Sequence, residues 1–374
     1  MTTVPPYLSV IVPAHRGEAV LRRSLPALLA SDLPRVDWEL IVVDDASPDL
    51  TPQVAAEYAD LVLTAGAEPR GPAGARNCGV QAARGEVVVF IDADVCVHPQ
   101  TLRAIADAFR ADAGLAALFG SYDADPSAPG VVSQFRNLLH HHVHHMCPGP
   151  AETFWAGCGA VRRDVYEAVG MMDEVRYPRP QIEDIELGRR LRRAGHRIEL
   201  RPDIQGKHLK RWTLRSMVVT DFRDRGVPWM KLLLSEGKAG SMATLNLRRA
   251  DKACTALVAL IALALPAAAA MRSVVPLLLA TAAAASIVML NHRFYRLLLG
   301  EHGLTFALAA VPLHLVFYFT GGLGAVAGIL SFHYERRGQH LSPATVGGAN
   351  GAHLGLAASA ADGPVRGPHA GRRP

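Results

Sequence analysis

The block from Ala253 to Ser331 constrains this chain more than any other feature. Ala253–Met271 holds 19 residues without a formal charge and Ser273–Leu290 another 18, divided only by Arg272, and a third uncharged stretch runs from Gly303 to Ser331. In hydrocarbon a segment must satisfy its own backbone polar groups, which favours helices, and a crossing takes about 20 apolar residues. Residues 250–332 are therefore expected to form two or three transmembrane helices. Core helices of a soluble protein are the weaker reading, because "LVALIALALPAAAAM" has no polar face.

Charge supports this orientation. The net formal charge is only +5, but residues 205–252 carry 11 Lys/Arg against four Asp/Glu, a net of +7, immediately before the first uncharged block. Such a collar is attracted to anionic membrane lipids and points to a cytoplasmic side. A nucleic-acid partner is disfavoured, since no interleaved aromatics or recognition motif accompany the charge. The start "MTTVPPYLSVIVPA" has no basic lead of a secretory signal, so the first 250 residues are expected to stay in the cytoplasm. Five scattered cysteines without a C-x-x-C pair indicate neither a disulfide framework nor a zinc knuckle. These features predict a multi-pass protein of the cell membrane. Three crossings would leave Arg336 and Arg337 outside, against the positive-inside tendency, whereas a re-entrant segment broken near Gly321-Gly322 would return them.

Residues 1–240 read differently. "YLSVIVPA", "ELIVVDDAS", "LVLT" and "EVVVFIDAD" are apolar runs separated by helical patterns, a βαβαβαβ succession. Runs without alternation indicate a mostly parallel, Rossmann-like α/β sheet covered by helices on both faces. Ligands of such sheets bind beyond the carboxyl ends of the strands. "IEDIELGRRLRRAG" predicts a helix with Gly195 at its C-terminal end, and residues 211–234 read as helices lying along the membrane surface. Residues 338–374, rich in Gly, Ala and Pro, are expected to be disordered.

Chemistry concentrates at two acidic pairs. Asp92 and Asp94 of "VVVFIDADV" leave a buried strand, where i and i+2 point the same way. Paired oxygens suit a hard cation such as Mg²⁺ or Mn²⁺, shared with substrate phosphates. Alone, D-x-D is equally an ordinary polar strand end, and Glu183-Asp184 are equally helix-start acids.

Together, "LSVIVPA", "ELIVVDDASPDLT", "GPAGARNCGVQAARGEVVVFIDADV" and "IEDIELGRRLRRAG", in this order, resemble the family 2 glycosyltransferases over residues 7–235. The resemblance implies the GT-A fold and a nucleotide-sugar donor such as a UDP- or GDP-sugar. It implies that Pro13, Ala14 and Asp45 hold the nucleotide base, that Arg76 reaches base and ribose, and that Asp92 contacts ribose or a metal-bound water. Asp94 would be the principal metal ligand and His208 of "GKHLKRW" a late one. Asp184 would be the catalytic base, with Glu183 positioning the acceptor and inversion at the anomeric carbon. Being near a helix N-terminus is expected to keep Asp184 ionised and ready to accept a proton. The first turn, "PAHRGE", and "VGMMDE" depart from the family's usual residues, which bears on donor and acceptor specificity.

The acceptor is expected to be a lipid-linked or membrane-delivered glycan or glycolipid. The alternatives are a polyprenyl-phosphate glycosyltransferase and a non-catalytic membrane scaffold. A sugar nucleotidyltransferase would need a glycine-rich triphosphate cradle, which "VPAHRGEAV" does not supply. Trp155 of "FWAGCGAV" reads equally as a sugar-stacking or a packing residue. In "LLHHHVHHMC" the five histidines spread too widely around a helix for one metal site. Two readings remain for them: an acceptor-side surface using His141 and His145, or a polar face toward solvent or headgroups.

Overall fold

The computed structural model describes residues 5–237 and 248–341, with side chains through residue 337. The unbroken apolar runs become strands and the periodic segments between them helices. In chain order these are β1 (Leu8–Ala14), α1 (Glu18–Leu29), β2 (Trp38–Asp44), α2 (Thr51–Ala56), β3 (Leu61–Thr64), α3 (Gly71–Ala82) and β4 (Val87–Ile91). Every residue of β2 and β4 is buried, as expected of strands covered on both faces. β1 pairs in parallel with β2 and with β4, and β2 with β3. This half of the sheet is the expected parallel one.

The second half is mixed. It contains β5 (Val95–Val97), α4 (Thr101–Ala111), β6 (Leu115–Tyr122), α5 (Val131–His145), β7 (Gly149–Pro150), β8 (Cys158–Arg162), α6 (Arg163–Ala168), α7 (Glu183–Arg193) and β9 (Arg197–His208). The sheet order is β3-β2-β1-β4-β8-β6-β9-β5, with β7 on β9. β8 runs antiparallel to both β4 and β6, whereas β6 and β9 are parallel. Alternate residues of each strand feed two cores. Val10, Val12, Leu40 and Val89 face α1 and α4, while Ile11, Ile41, Val43 and Phe90 face α3, α6 and α7.

After the sheet come α8 (Leu214–Val219), a π-helical stretch (Thr220–Gly226), α9 (Val227–Ser235), α10 (Arg249–Met271), α11 (Val275–Leu290) and α12 (His292–Leu341). Gly303 breaks α12 with φ 78° and ψ −178°, a conformation that L side chains rarely adopt. The windows Arg249–Met271 and His292–Arg337 are long and apolar enough to cross a bilayer, with mean hydropathy 2.2 and 1.8. α11 has 16 residues, about 24 Å at the helical rise, short of a bilayer core of about 30 Å. Leu263, Leu278, Leu304 and Leu308 stand exposed on the outer faces of these helices. The π-helical stretch touches α12 closely, for a Cβ on Gly324 would lie 3.0 Å from Cα of Gly226. Residues through His333 form one unit; of the second, Tyr334–Pro374, only the helix end to Leu341 is described. The disorder expected for 338–374 falls almost wholly outside the described residues.

One glycine sets the seat of the acidic helix. A Cβ on Gly188 would lie 2.2 Å from the backbone nitrogen of Phe154. Gly188→Ala must therefore push α7 away from the 153–157 segment, an overpacking that costs about 1–3 kcal/mol. The expected outcome is a lower denaturation midpoint in detergent, and an unchanged midpoint would show that α7 does not need this approach.

Candidate active site

Three strand ends and two loops converge on one cavity of about 1240 Å³. Its wall includes Pro13 and Ala14 at the end of β1, Asp45 after β2, and Asp92 and Asp94 after β4. Arg76, Trp155, Glu183, Asp184 and His208 also line it, whereas His141 and His145 do not. Residues scattered over most of the N-terminal 210 positions thus meet at the carboxyl edge of the parallel strands, where the crossover connections leave a crevice.

Asp45 organises the first wall. Its oxygens accept the backbone N–H groups of Arg70 (2.7 Å) and Gly71 (2.9 Å), which satisfies donors at the start of α3. A Gly71 φ of +76° makes that approach possible. Each oxygen retains a lone pair for a ligand donor.

Arg76, on the buried face of α3, lies between the two acidic pairs. Its guanidinium donates to Asp92 Oδ1 (2.6 Å) and Glu183 Oε1 (3.3 Å). Only 4% of the residue is exposed. One buried cation therefore ties the strand that carries D-x-D to the helix that carries the second pair.

Asp94 faces a different partner. His208 sits at the end of β9, opposite Val95, with Nε2 3.5 Å from Asp94 Oδ2. Its Nδ1 lies 2.6 Å from Asn137 Oδ1, which fixes the ring with Nε2 turned toward the Asp94 carboxylate. An imidazole held by its far nitrogen beside a carboxylate is a usual metal-ligand arrangement. Burial opposes the Asp94 charge, but His208 and Lys210 more than offset it, and the carboxyl lies below its ordinary range. Among the described residues no group of three or more His, Cys, Asp or Glu side chains could hold a metal by itself. Two protein ligands completed by substrate phosphates fit a Mg²⁺-type ion.

The second pair opens α7. Burial, then the neighbouring Asp184 charge, push Glu183 up to about 7, with Arg76 pulling the other way. Burial also raises Asp184, although its Oδ2 accepts the Ala156 N–H at 3.1 Å. This corrects the expectation from the helix start: desolvation outweighs the few exposed amide dipoles there, so the pair is poised nearer neutrality than exposed acids.

The histidine helix is α5, and its tract does not face solvent as a whole. His144 Nδ1 pairs with the Gly120 carbonyl (2.9 Å) and His141 Nδ1 with the Tyr122 carbonyl (2.8 Å). His140, His142 and His144 line the cavity. His145 turns outward to Gln205 and stacks on His141. The side of the tract expected to meet an acceptor is thus the opposite one. Burial drives His142 and His144 down to about 4 and His140 well below its ordinary value, so these rings are neutral near pH 7. Their visible task is architectural. His140 packs on Tyr122, whose ring stacks on His208 at 4.1 Å and 8°. Trp155 stands edge-on to Tyr122 and against His140, and so serves the packing of this wall while lining the cavity.

Several lining residues had no motif to announce them. Asn137 and Tyr122 support His208, and Arg136 forms a buried ion pair with Asp221 at 2.7 Å. The local signal that was available is the "TDFRDRG" stretch, whose closely spaced charges become a π-helix, a form often found at functional sites.

Residues 9–170 match the family model described as glycosyl transferase family 2. Glycosyltransferase AglE of Haloferax volcanii is 31% identical over 106 residues, which is 27% of this chain and 35% of that one. The succinoglycan biosynthesis protein ExoO of Rhizobium meliloti is 38% identical over 110 residues, 29% of this chain and 30% of that one. The chain thus spans about a third of the length of these curated relatives. A mannosyltransferase from Pyrobaculum calidifontis, solved with GDP-Man and Mn²⁺, aligns with 89% of both chains at TM-score 0.50 and 19% identity, a likeness of fold.

The buried Arg76 is the sharpest test of this geometry. Arg76→Met leaves Asp92 and Glu183 facing an apolar group, a loss of about 3–5 kcal/mol for an orphaned buried charge. The fold should be less stable by chemical denaturation, and more so above pH 7 than below it, because protonation relieves Glu183. Equal destabilisation on both sides would mean that Glu183 does not depend on Arg76.

Proposed function

We propose that this chain, a member of glycosyl transferase family 2 with the GT-A fold, moves a sugar from a UDP- or GDP-sugar to a hydroxyl of a lipid-linked or membrane-delivered glycan, with inversion. The observation that carries this reading is the meeting of two acidic pairs, Asp92/Asp94 and Glu183/Asp184, on one cavity at the carboxyl edge of the strands. The membrane helices support a multi-pass location, with residues 1–240 as a cytoplasmic catalytic domain and α8–α9 along the membrane surface.

Each residue has a task in this scheme. Pro13, Ala14 and Asp45 receive the nucleotide base. Asp94 and His208 would hold Mg²⁺ or Mn²⁺, which would offset the charge developing on the diphosphate leaving group. Arg76 holds Asp92 and Glu183 in place and offsets part of the cost of burying Glu183. Asp184 accepts the proton of the acceptor hydroxyl, and Glu183 orients that hydroxyl. Attack opposite the leaving group inverts the anomeric carbon. A scaffold without catalysis would not need four carboxylates gathered on one cavity, with Glu183 among them buried.

Turnover of a panel of UDP- and GDP-sugars by solubilised protein with Mn²⁺ tests the proposal. Asp94→Ala and Asp184→Ala should each lose roughly 10²–10⁴-fold in kcat; full turnover in both would overturn it. The acidic pair titrates as a unit. Carboxyls raised by burial are protonated below their pKa, so kcat/KM should rise with pH through about 7. Glu183→Gln should remove that limb. A wild-type profile flat across neutrality would contradict the role given to the pair.

A further inference from the structure

Two residues beyond His208 the chain places a cation on the cavity wall that the proposed sugar transfer leaves without a task. Lys210 is exposed and lines the cavity together with His208, Asp92 and Asp94. Its backbone is held from two sides. The preceding residue, Leu209, donates its N–H to the Asp94 carbonyl at 2.8 Å. The Ser133 hydroxyl of α5 donates to the Lys210 carbonyl at 3.3 Å and accepts the Trp212 N–H at 3.0 Å. The stem of Lys210 is thus anchored to the segment that carries D-x-D.

The ammonium has no carboxylate of its own. Among the described residues it makes no ion pair and rests over the Trp212 ring, 4.4 Å from the centroid. Asp94 and Asp92 attract its charge, while Arg225 and Arg136 repel it. Both acids already have partners, His208 and Arg76. Arg136 is paired with Asp221 at 2.7 Å, whereas Arg225 makes no ion pair among the described residues. Two like charges on one cavity, neither matched by a carboxylate, leave a positive potential that attracts an anion. Packing accounts for the contact with Trp212, a cation–π pair. It gives no reason to fix a bare ammonium on the backbone of Asp94.

We infer that Lys210 is a further catalytic residue, whose ammonium hydrogen-bonds the terminal phosphate of the nucleotide diphosphate and stabilises it as the sugar departs. The inference rests on the proposed sugar transfer and gives its leaving group a second neutralising charge. As the bond between the anomeric carbon and the phosphate oxygen breaks, its electron pair stays on that oxygen. The acceptor hydroxyl oxygen forms the new bond, and its proton passes to Asp184. Lys210 keeps its protons throughout and donates one in a charge-assisted hydrogen bond. That bond strengthens as negative charge collects on the phosphate, which makes it catalytic and not only a binding contact. A nucleoside monophosphate lacks the terminal group, so Lys210 distinguishes the two.

The test uses full-length protein in neutral detergent, with UDP, UMP, GDP and GMP as probes and calorimetric binding in EDTA as the first readout. The nucleoside diphosphate should bind about tenfold more tightly than its monophosphate. Lys210→Met, which keeps the stem over Trp212, and Lys210→Gln should bring that ratio close to one, and Lys210→Arg should retain it. Monophosphate affinity should stay unchanged in all three, and their melting temperatures without ligand check the fold. Lys207→Met, at a residue that pairs with Asp125 outside the cavity, should behave as wild type. With Mn²⁺ and saturating donor, Lys210→Met should lower kcat about 10²-fold. A wild type that shows no preference for the diphosphate in EDTA would overturn the inference, as would a preference untouched by Lys210→Met and Lys210→Gln. If UDP or GDP binds with Mn²⁺ but the preference does not depend on Lys210, this inference fails alone; if no nucleotide binds, the proposed sugar transfer fails with it.

Discussion

A single buried guanidinium organises the centre of this molecule. Arg76 donates to Asp92 and to Glu183, two carboxylates that arrive from different parts of the chain. Burying carboxylates without a cation is costly, and the penalty in a protein interior exceeds what ordinary hydrogen bonds return. With Arg76 in place, the end of β4 and the start of α7 can share one cavity. The raised position of Glu183, at about 7, marks how incompletely one arginine offsets the burial of two adjacent acids.

The other side of the cavity is built from aromatic rings. His144 and His141 pair with the carbonyls of Gly120 and Tyr122 at the end of β6, which seats α5 across the sheet. That seat brings His140 onto Tyr122 and Tyr122 onto His208. With Asn137 on its far nitrogen, the His208 ring has little freedom left, and Nε2 remains beside Asp94. In a run of histidines that suggests a metal centre or a charged surface, the neutral His140 and His144 are packed supports for a single imidazole.

The apolar helices are tied to this centre by close contacts and buried charge. Gly226 against Gly324 lets the π-helical stretch lie on α12, and Arg136 pairs with Asp221 of that stretch. Arg189 of α7 pairs with Glu236 at the end of α9 at 2.8 Å, both nearly inaccessible. The acidic helix, α8–α9 with the π-helical stretch, and the longest apolar helix therefore share one mechanical frame.

Local sequence determined the strands, most helices and both acidic pairs, because unbroken apolar runs and helical spacing are properties of neighbouring residues. The D-x-D pair and Glu183-Asp184 were legible for the same reason, as short patterns at the ends of such elements. The partner of Arg76 was not, since a guanidinium's choice among carboxylates depends on which chain segments burial brings together. Nor could spacing decide which histidines face inward: the carbonyls that fix α5 lie about 20 residues away, on β6. The parallel pairing of β1 to β4 follows from its crossover helices, whereas the antiparallel insertion of β8 between β4 and β6 is a tertiary outcome. Sequence alone thus determined which elements form and which residues carry charge. Tertiary structure decided which charges meet, because desolvation and pairing depend on distances that only the packed chain sets.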